Sequence, residues 1–171
     1  MGTIIVFILL TLSAPGMIRS YEVTLNSFAP YADSDRGLID YGTLRMNKKT
    51  RSSFMISGNF TVLQNVGREY LTSFELVQVI GDQSRPIVRA EQNFCQFYST
   101  DYDMLLALRS VSNWPPKDSC PFPKGEYYIN GYEATTKQMP PILAPGLYLL
   151  KFMVSLNGKQ VGGYILKGNV G

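Results

Sequence analysis

Apolar and polar positions alternate along most of the chain. Phe54, Ile56, Gly58, Phe60 and Val62 fall on one face of an extended segment, and Ser57, Asn59 and Thr61 on the other. Met55 and Leu63 break the alternation. A period of two is the mark of a half-buried strand. Tyr70 to Ile80 puts Phe74, Leu76 and Ile80 on one face and Glu75, Val77 and Val79 on the other. Apolar residues on both sides suit a strand inside a sheet, and Gly81-Asp82 ends it. Residues 86–91 read as a short further strand. Tyr21 to Phe28 and Leu38 to Met46 are weaker strands separated by a polar loop, Pro30 to Gly37. Near the C-terminus, Tyr148, Leu150, Phe152, Val154 and Leu156 share a face, Asn157-Gly158 follows, and Val161 to Lys167 returns. Asn-Gly between two β-type runs predicts a hairpin, because both residues accept positive φ in a type I′ turn.

One segment departs from this period. Met104, Leu105, Leu108 and Val111 form a helical apolar stripe, preceded by Thr100-Asp101-Tyr102-Asp103. That tetrad fits a capping box, with acidic groups at the positive end of the helix dipole. Asn113-Trp114-Pro115-Pro116 stops the run. The spacing predicts one helix over about 100–112. A proline-rich connector, Lys137 to Gly146, leads into the last hairpin. The whole reads as a mostly β chain, an antiparallel β-sandwich with one inserted helix. A barrel is the alternative.

The N-terminus changes the compartment. Ile4 to Leu12 is an apolar run of signal-peptide length, well short of the roughly 20 residues that span a bilayer. Pro15 and Gly16 follow, and Ser20 offers a cleavage point before Tyr21; Gly16 is a second candidate. The expectation is a signal peptide over 1–20, a secreted domain over 21–171, and no transmembrane segment after its removal. An uncleaved anchor, with Arg19 behind the apolar run, is the rival. About 150 residues then form one domain with a core of its own.

The chain has two cysteines, Cys95 and Cys120, and no histidine. In an oxidising compartment the pair reads as one disulfide. Lack of histidine removes the histidine general base, Ser-His-Asp triads and histidine metal ligands. Asp101 and Asp103 are the closest carboxylate pair for glycoside hydrolysis, but capping explains them better. Asp33 and Asp35 fit a solvated turn better than a calcium site. Sixteen basic against 13 acidic residues give a net charge of +3, too small to argue for nucleic acid. The basic run Lys48-Lys49-Thr50-Arg51 reads as a solvated hairpin loop. Asn59-Phe60-Thr61 is a glycosylation sequon whose Asn59 falls on the polar face. The aromatics, 9 Phe, 11 Tyr and 1 Trp, either pack a filled core or line an apolar pocket between two sheets.

Several blocks occur in a familiar order. They are Asn93-Phe94-Cys95-Gln96-Phe97 through Asp103, then Asn113, then Cys120-Pro121-Phe122-Pro123-Lys124-Gly125-Glu126-Tyr127-Tyr128. Pro140-Pro141, Ala144-Pro145-Gly146-Leu147-Tyr148 and the closing hairpin complete the set. This order resembles an insect family of small secreted proteins that includes the chemosensory A and B proteins, within the ganglioside-activator-like branch of the ML lipid-recognition superfamily. The resemblance covers about residues 90–170 and is looser before them. It implies an Ig-like β-sandwich, an apolar cavity between the sheets, and binding of lipids or cuticular hydrocarbons and pheromones in gustatory sensing. It implies no catalysis. Cys95 and Cys120 carry over directly. Many ML-type proteins have several disulfides, whereas this chain can form one.

The resulting expectation is a secreted, non-enzymatic carrier of a hydrophobic small molecule or lipid, with no cofactor and no metal. Its candidate walls, taken from the alternation, are Phe54, Phe60, Phe74, Leu76, Tyr128 and Phe152. The first rival is an extracellular interaction domain with a filled core, acting on a sensory receptor or ion channel. The second is a carboxylate-dependent hydrolase using Asp101 and Asp103.

Overall fold

A computed structural model describes residues 21–31, 37–50, 53–134, 139–140 and 142–171. The signal-like segment 1–20, Asp33, Asp35, Arg51, Lys137 and Pro141 lie outside the described residues. The described chain is mostly strand, folded as two antiparallel sheets facing each other.

The larger sheet has the order β1-β9-β8-β5-β6, built from β1 (Val23–Pro30), β5 (Tyr70–Ile80), β6 (Gln83–Asn93), β8 (Gly146–Leu156) and β9 (Lys159–Val170). The smaller sheet centres on β4 (Phe54–Val62). Along one edge of β4 run β2 (Ile39–Asp40) and β3 (Arg45–Lys48), pairing with its two ends. β7 (Gly125–Tyr132) pairs along the other edge.

The predicted C-terminal hairpin is present as β8 and β9. Asn157 and Gly158 form its turn with φ of +51° and +77°. β5 lies inside its sheet, flanked by β8 and β6. The inner positions Tyr70, Thr72 and Leu76 are buried. Glu75 faces the other way and pairs with Lys151 directly across on β8, Nζ to Oε2 3.3 Å. Lys49 and Thr50 are exposed in the hairpin loop between β3 and β4, as the sequence predicts, while Lys48 is the last residue of β3.

The short strand expected at 86–91 is instead the 11-residue β6, paired along the whole of β5. Its pattern was hidden because it is an edge strand, exposed from Gln83 to Glu91, with no buried face to enforce alternation. Pro86 sits opposite Val77 at the register shift of this edge strand, the kind of position where a sheet tolerates proline.

The single helix over 100–112 is replaced by two short ones, α1 (Phe94–Ser99) and α2 (Asp103–Ser110). The side-chain cap belongs to the earlier helix. Asn93 caps α1, its Oδ1 accepting from the Gln96 N–H at 2.9 Å while Gln96 Oε1 accepts from Asn93 Nδ2 at 3.1 Å. Thr100 closes α1 rather than opening α2. Its backbone is extended, and its hydroxyl donates to the Gln96 carbonyl at 2.8 Å. α2 starts at Asp103 with no side-chain cap, and Asp101 pairs with Lys117, Nζ to Oδ2 2.9 Å. The predicted stop before Trp114-Pro115-Pro116 holds.

Gly58 is fixed by close approach. Its φ is +132°, and a Cβ there would lie 2.3 Å from the Thr43 carbonyl oxygen, in the loop between β2 and β3. Both the conformation and the contact exclude a side chain. Gly58→Ala is expected to cost at least about 2 kcal/mol and to lower the melting temperature by about 5 °C or more. Thermal unfolding followed by circular dichroism checks this.

Candidate ligand cavity

The inner faces of the two sheets are apolar because alternation sends every second side chain inward. Leu25, Leu76, Tyr148, Leu150, Val154 and Leu166 come from the large sheet. Ile56, Phe60, Val62, Tyr127, Ile129 and Tyr132 come from the small one. The sheets do not meet over their whole length. α1 packs against β5 and β6, α2 against β7, so the helix pair bridges the opening between the sheets.

A disulfide between Cys95 and Cys120 fixes this bridge. It ties α1 to the segment entering β7. The flanking aromatics follow. Phe94 is edge-on to Phe122 at 6.0 Å, Tyr98 meets Phe122 at 5.1 Å, and Phe122 lies 4.9 Å from Tyr127. Arg109 from α2 lies over the Tyr98 ring, 4.8 Å from its centre, and donates to the Tyr98 carbonyl through Nη2.

Between the sheets and the helices lies a main chamber of about 130 Å³. Its floor is Phe152, Val154, Tyr164 and Leu166 of the large sheet. Ile56, Phe60, Val62, Ile129 and Tyr132 of the small sheet face them. α1 and α2 add Phe94, Phe97, Tyr98, Leu105 and Leu108, and Leu38, Trp114 and Phe122 are also part of the wall. Every lining residue is buried or half-buried, and none is charged. Dry apolar cavities of about 150 Å³ take ligands such as benzene.

A second chamber of about 330 Å³ adjoins it, between β5, β6 and the start of α2. Thr72, Phe74, Val88, Ala90, Gln92, Tyr102, Asp103, Met104 and Met139 line it, with Phe97 common to both chambers. Val88, Ala90, Tyr102 and Asp103 are exposed, so this chamber opens at the surface. Phe74 and Phe152 are direct cross-strand neighbours, as are Thr72 and Val154. In each pair the β5 residue faces the second chamber and the β8 residue the main one. The partition therefore runs along the seam between β5 and β8. Phe97 stands over it, its ring 5.4 Å from that of Phe152.

The six residues chosen from alternation are dispersed. Phe60 and Phe152 line the main chamber and Phe74 the second. Leu76 lines a small cleft of about 20 Å³ with Leu25 and Tyr148. Phe54 packs half-buried against the core and lines neither chamber, and Tyr128 is 45% exposed on the outer face of β7. Asn59 is exposed and pairs with Tyr128 across β4 and β7. The sequence reading missed strand residues such as Ile56, Val62, Ile129, Val154 and Leu166, and outside the strands Leu38, Phe94, Phe97, Tyr98 and Trp114. The cysteines were the available signal, since a bond between them must bring Phe94 and Phe97 to the neighbourhood of Phe122. Leu105 and Leu108 were legible as an apolar stripe, but the surface they cover was not.

Among the described residues, three side chains have buried polar atoms with no hydrogen-bond partner: Thr72 Oγ1 on the second chamber, Trp114 Nε1 on the main one, and Nε and Nη1 of Arg109, which lines neither. An unpaired buried group of this kind costs about 1–3 kcal/mol. Besides Tyr98, three phenols, Tyr41, Tyr132 and Tyr164, line the main chamber. Burial raises the pKa of all three above the usual tyrosine value. Tyr164 is raised further by its neighbours Tyr132 and Tyr41, although part of its ring reaches the surface.

Among the described residues no group of three or more His, Cys, Asp and Glu could hold a metal ion. No described helix is long and apolar enough to cross a membrane.

Residues 73–150 match a family model described as "Protein of unknown function (DUF1091)". The match is less than half of the chain. It runs from β5 into β8 and includes both helices, both cysteines and most of the second chamber. No curated protein matches the chain.

Two outcomes follow. Cys95→Ser with Cys120→Ser opens a loop of 25 residues and is expected to cost about 3 kcal/mol, read as a lower denaturation midpoint. The raised phenols set alkaline behaviour. Below pH 10 they are neutral in both folded and unfolded chains and contribute no pH dependence. Above about pH 10 the unfolded chain loses these protons first, so stability falls as pH rises, by up to about 1.4 kcal/mol per unit for each phenol. Tyr132→Phe should flatten that slope in melting curves taken from pH 8 to 11.

Proposed function

We infer that this protein is a secreted, non-enzymatic carrier that holds a hydrophobic small molecule or lipid between its sheets. The observation that carries the reading is the main chamber, a space walled by uncharged, mostly apolar side chains from both sheets and both helices. Native cores are packed to near crystal density, so a sizeable void is costly unless something fills it. Removing apolar area from water is worth about 25 cal/mol per Å². An alkyl chain or ring could therefore bind there with few polar contacts.

The match over residues 73–150 agrees with an ML-type module in which helices and disulfide close one end of a sandwich. The finer reading is a protein of the chemosensory A and B type, carrying a cuticular hydrocarbon or pheromone to a sensory receptor or channel. It rests on the sequence blocks around Cys95 and Cys120. Secretion follows from the signal-like segment. A glycan on Asn59 would project from the exposed face of β4, clear of both chambers. Asp101 and Asp103 do not support the hydrolase rival, because Asp101 is held by Lys117 while Asp103 sits exposed in the first turn of α2.

Native mass spectrometry of protein secreted from insect cells should show loss of the leader, a disulfide, a glycan removed by Asn59→Gln, and a retained apolar adduct. Val154→Phe, which fills the floor of the main chamber, should weaken displacement of N-phenyl-1-naphthylamine by long-chain alkanes at least about tenfold. Undiminished uptake by that variant would count against the chamber as the site.

A further inference from the structure

The second chamber carries a chemical preference. Thr72 is 2% exposed on the central strand β5, and its hydroxyl has no partner. It lies on the wall of a chamber large enough for a ligand headgroup. Its cross-strand neighbour Gln92 lies on the same wall, with Nε2 3.5 Å from the Tyr102 hydroxyl. These are neutral hydrogen-bonding groups. Among the described residues neither chamber has a lysine or arginine on its wall, and Asp103 stands at the rim of the second. A buried carboxylate there would meet no cation and one like charge. A neutral oxygen would satisfy Thr72 at no such cost.

We propose that Thr72 anchors the neutral oxygen of a single-chain amphiphile, an alcohol or ester, with its head in the second chamber and its tail running past Phe97 into the main chamber. Phe97 faces both chambers and stands over the seam between β5 and β8, so it is the side chain the tail must pass. The proposal deepens the carrier reading and rests on it.

The test is displacement of N-phenyl-1-naphthylamine by 1-dodecanol, dodecane and dodecanoate at pH 7.4. It uses the wild-type protein, Thr72→Val and Thr72→Ser. Wild type should bind dodecanol more than threefold tighter than dodecanoate. Thr72→Val should weaken dodecanol roughly three- to tenfold, the loss of one neutral hydrogen bond, and leave dodecane unchanged. Thr72→Ser keeps the hydroxyl and should restore dodecanol binding. Thr72→Val should also raise the melting temperature of the ligand-free protein, because it removes an unpaired buried hydroxyl. That rise also shows that the variant folds. Equal loss of dodecanol and dodecane in Thr72→Val, or dodecanoate binding as tightly as dodecanol, overturns the proposal while the carrier reading stands. No displacement by any of the three overturns both.

Discussion

The cavity depends on the bridge that holds two short helices across the gap between the sheets. Neither helix is long enough to be stable alone, since isolated helices below about 12–15 residues are marginal in water. α1 and α2 have 6 and 8 residues. They persist because the Cys95–Cys120 bond pins α1 to the entry of β7, and because Phe94, Tyr98 and Phe122 pack in one aromatic cluster beneath it. Arg109 then ties α2 to the Tyr98 of α1. With the helices fixed there, the sheets are covered at that end without having to close on each other.

A second device keeps the interior apolar although many of its side chains are tyrosines. Their rings pack inward while their hydroxyls reach backbone carbonyls of loops or, for the loop residue Tyr41, of β9. Tyr127 donates to Pro123, Tyr148 to Ala144, Tyr98 to Pro115 and Tyr41 to Gly163. Each bond satisfies a group that would otherwise be costly to bury. It also fastens an irregular segment to the sandwich. Thr72 and Trp114, on chamber walls, and Arg109, away from them, have buried polar atoms that depart from this rule.

The strands with one buried face were legible. β4, β5 and β8 alternate because one side meets the core, and Asn157-Gly158 announces its turn by the φ it tolerates. β6 was only partly legible because an exposed edge strand is under no such pressure. The helix was misplaced because Thr100 can hydrogen-bond as readily at a C-terminus as at an N-terminus. The site was less legible than the fold. Phe60 and Phe152 reached the main chamber, but Tyr128 points outward and Phe74 lies across the partition from its neighbour Phe152.

By itself the sequence determined a mostly β chain, its last hairpin, the pairing of its only two cysteines and the absence of histidine chemistry. These are local or combinatorial facts, set by side-chain period, turn conformation and residue count. Only the tertiary structure decided that the interior is divided in two, which aromatics face each part, and that Thr72 is buried without a partner. Alternation tells which side of a strand is apolar. It carries no information on how far away the opposing sheet stands, because that distance is set by helices and loops whose positions arise from packing at long range.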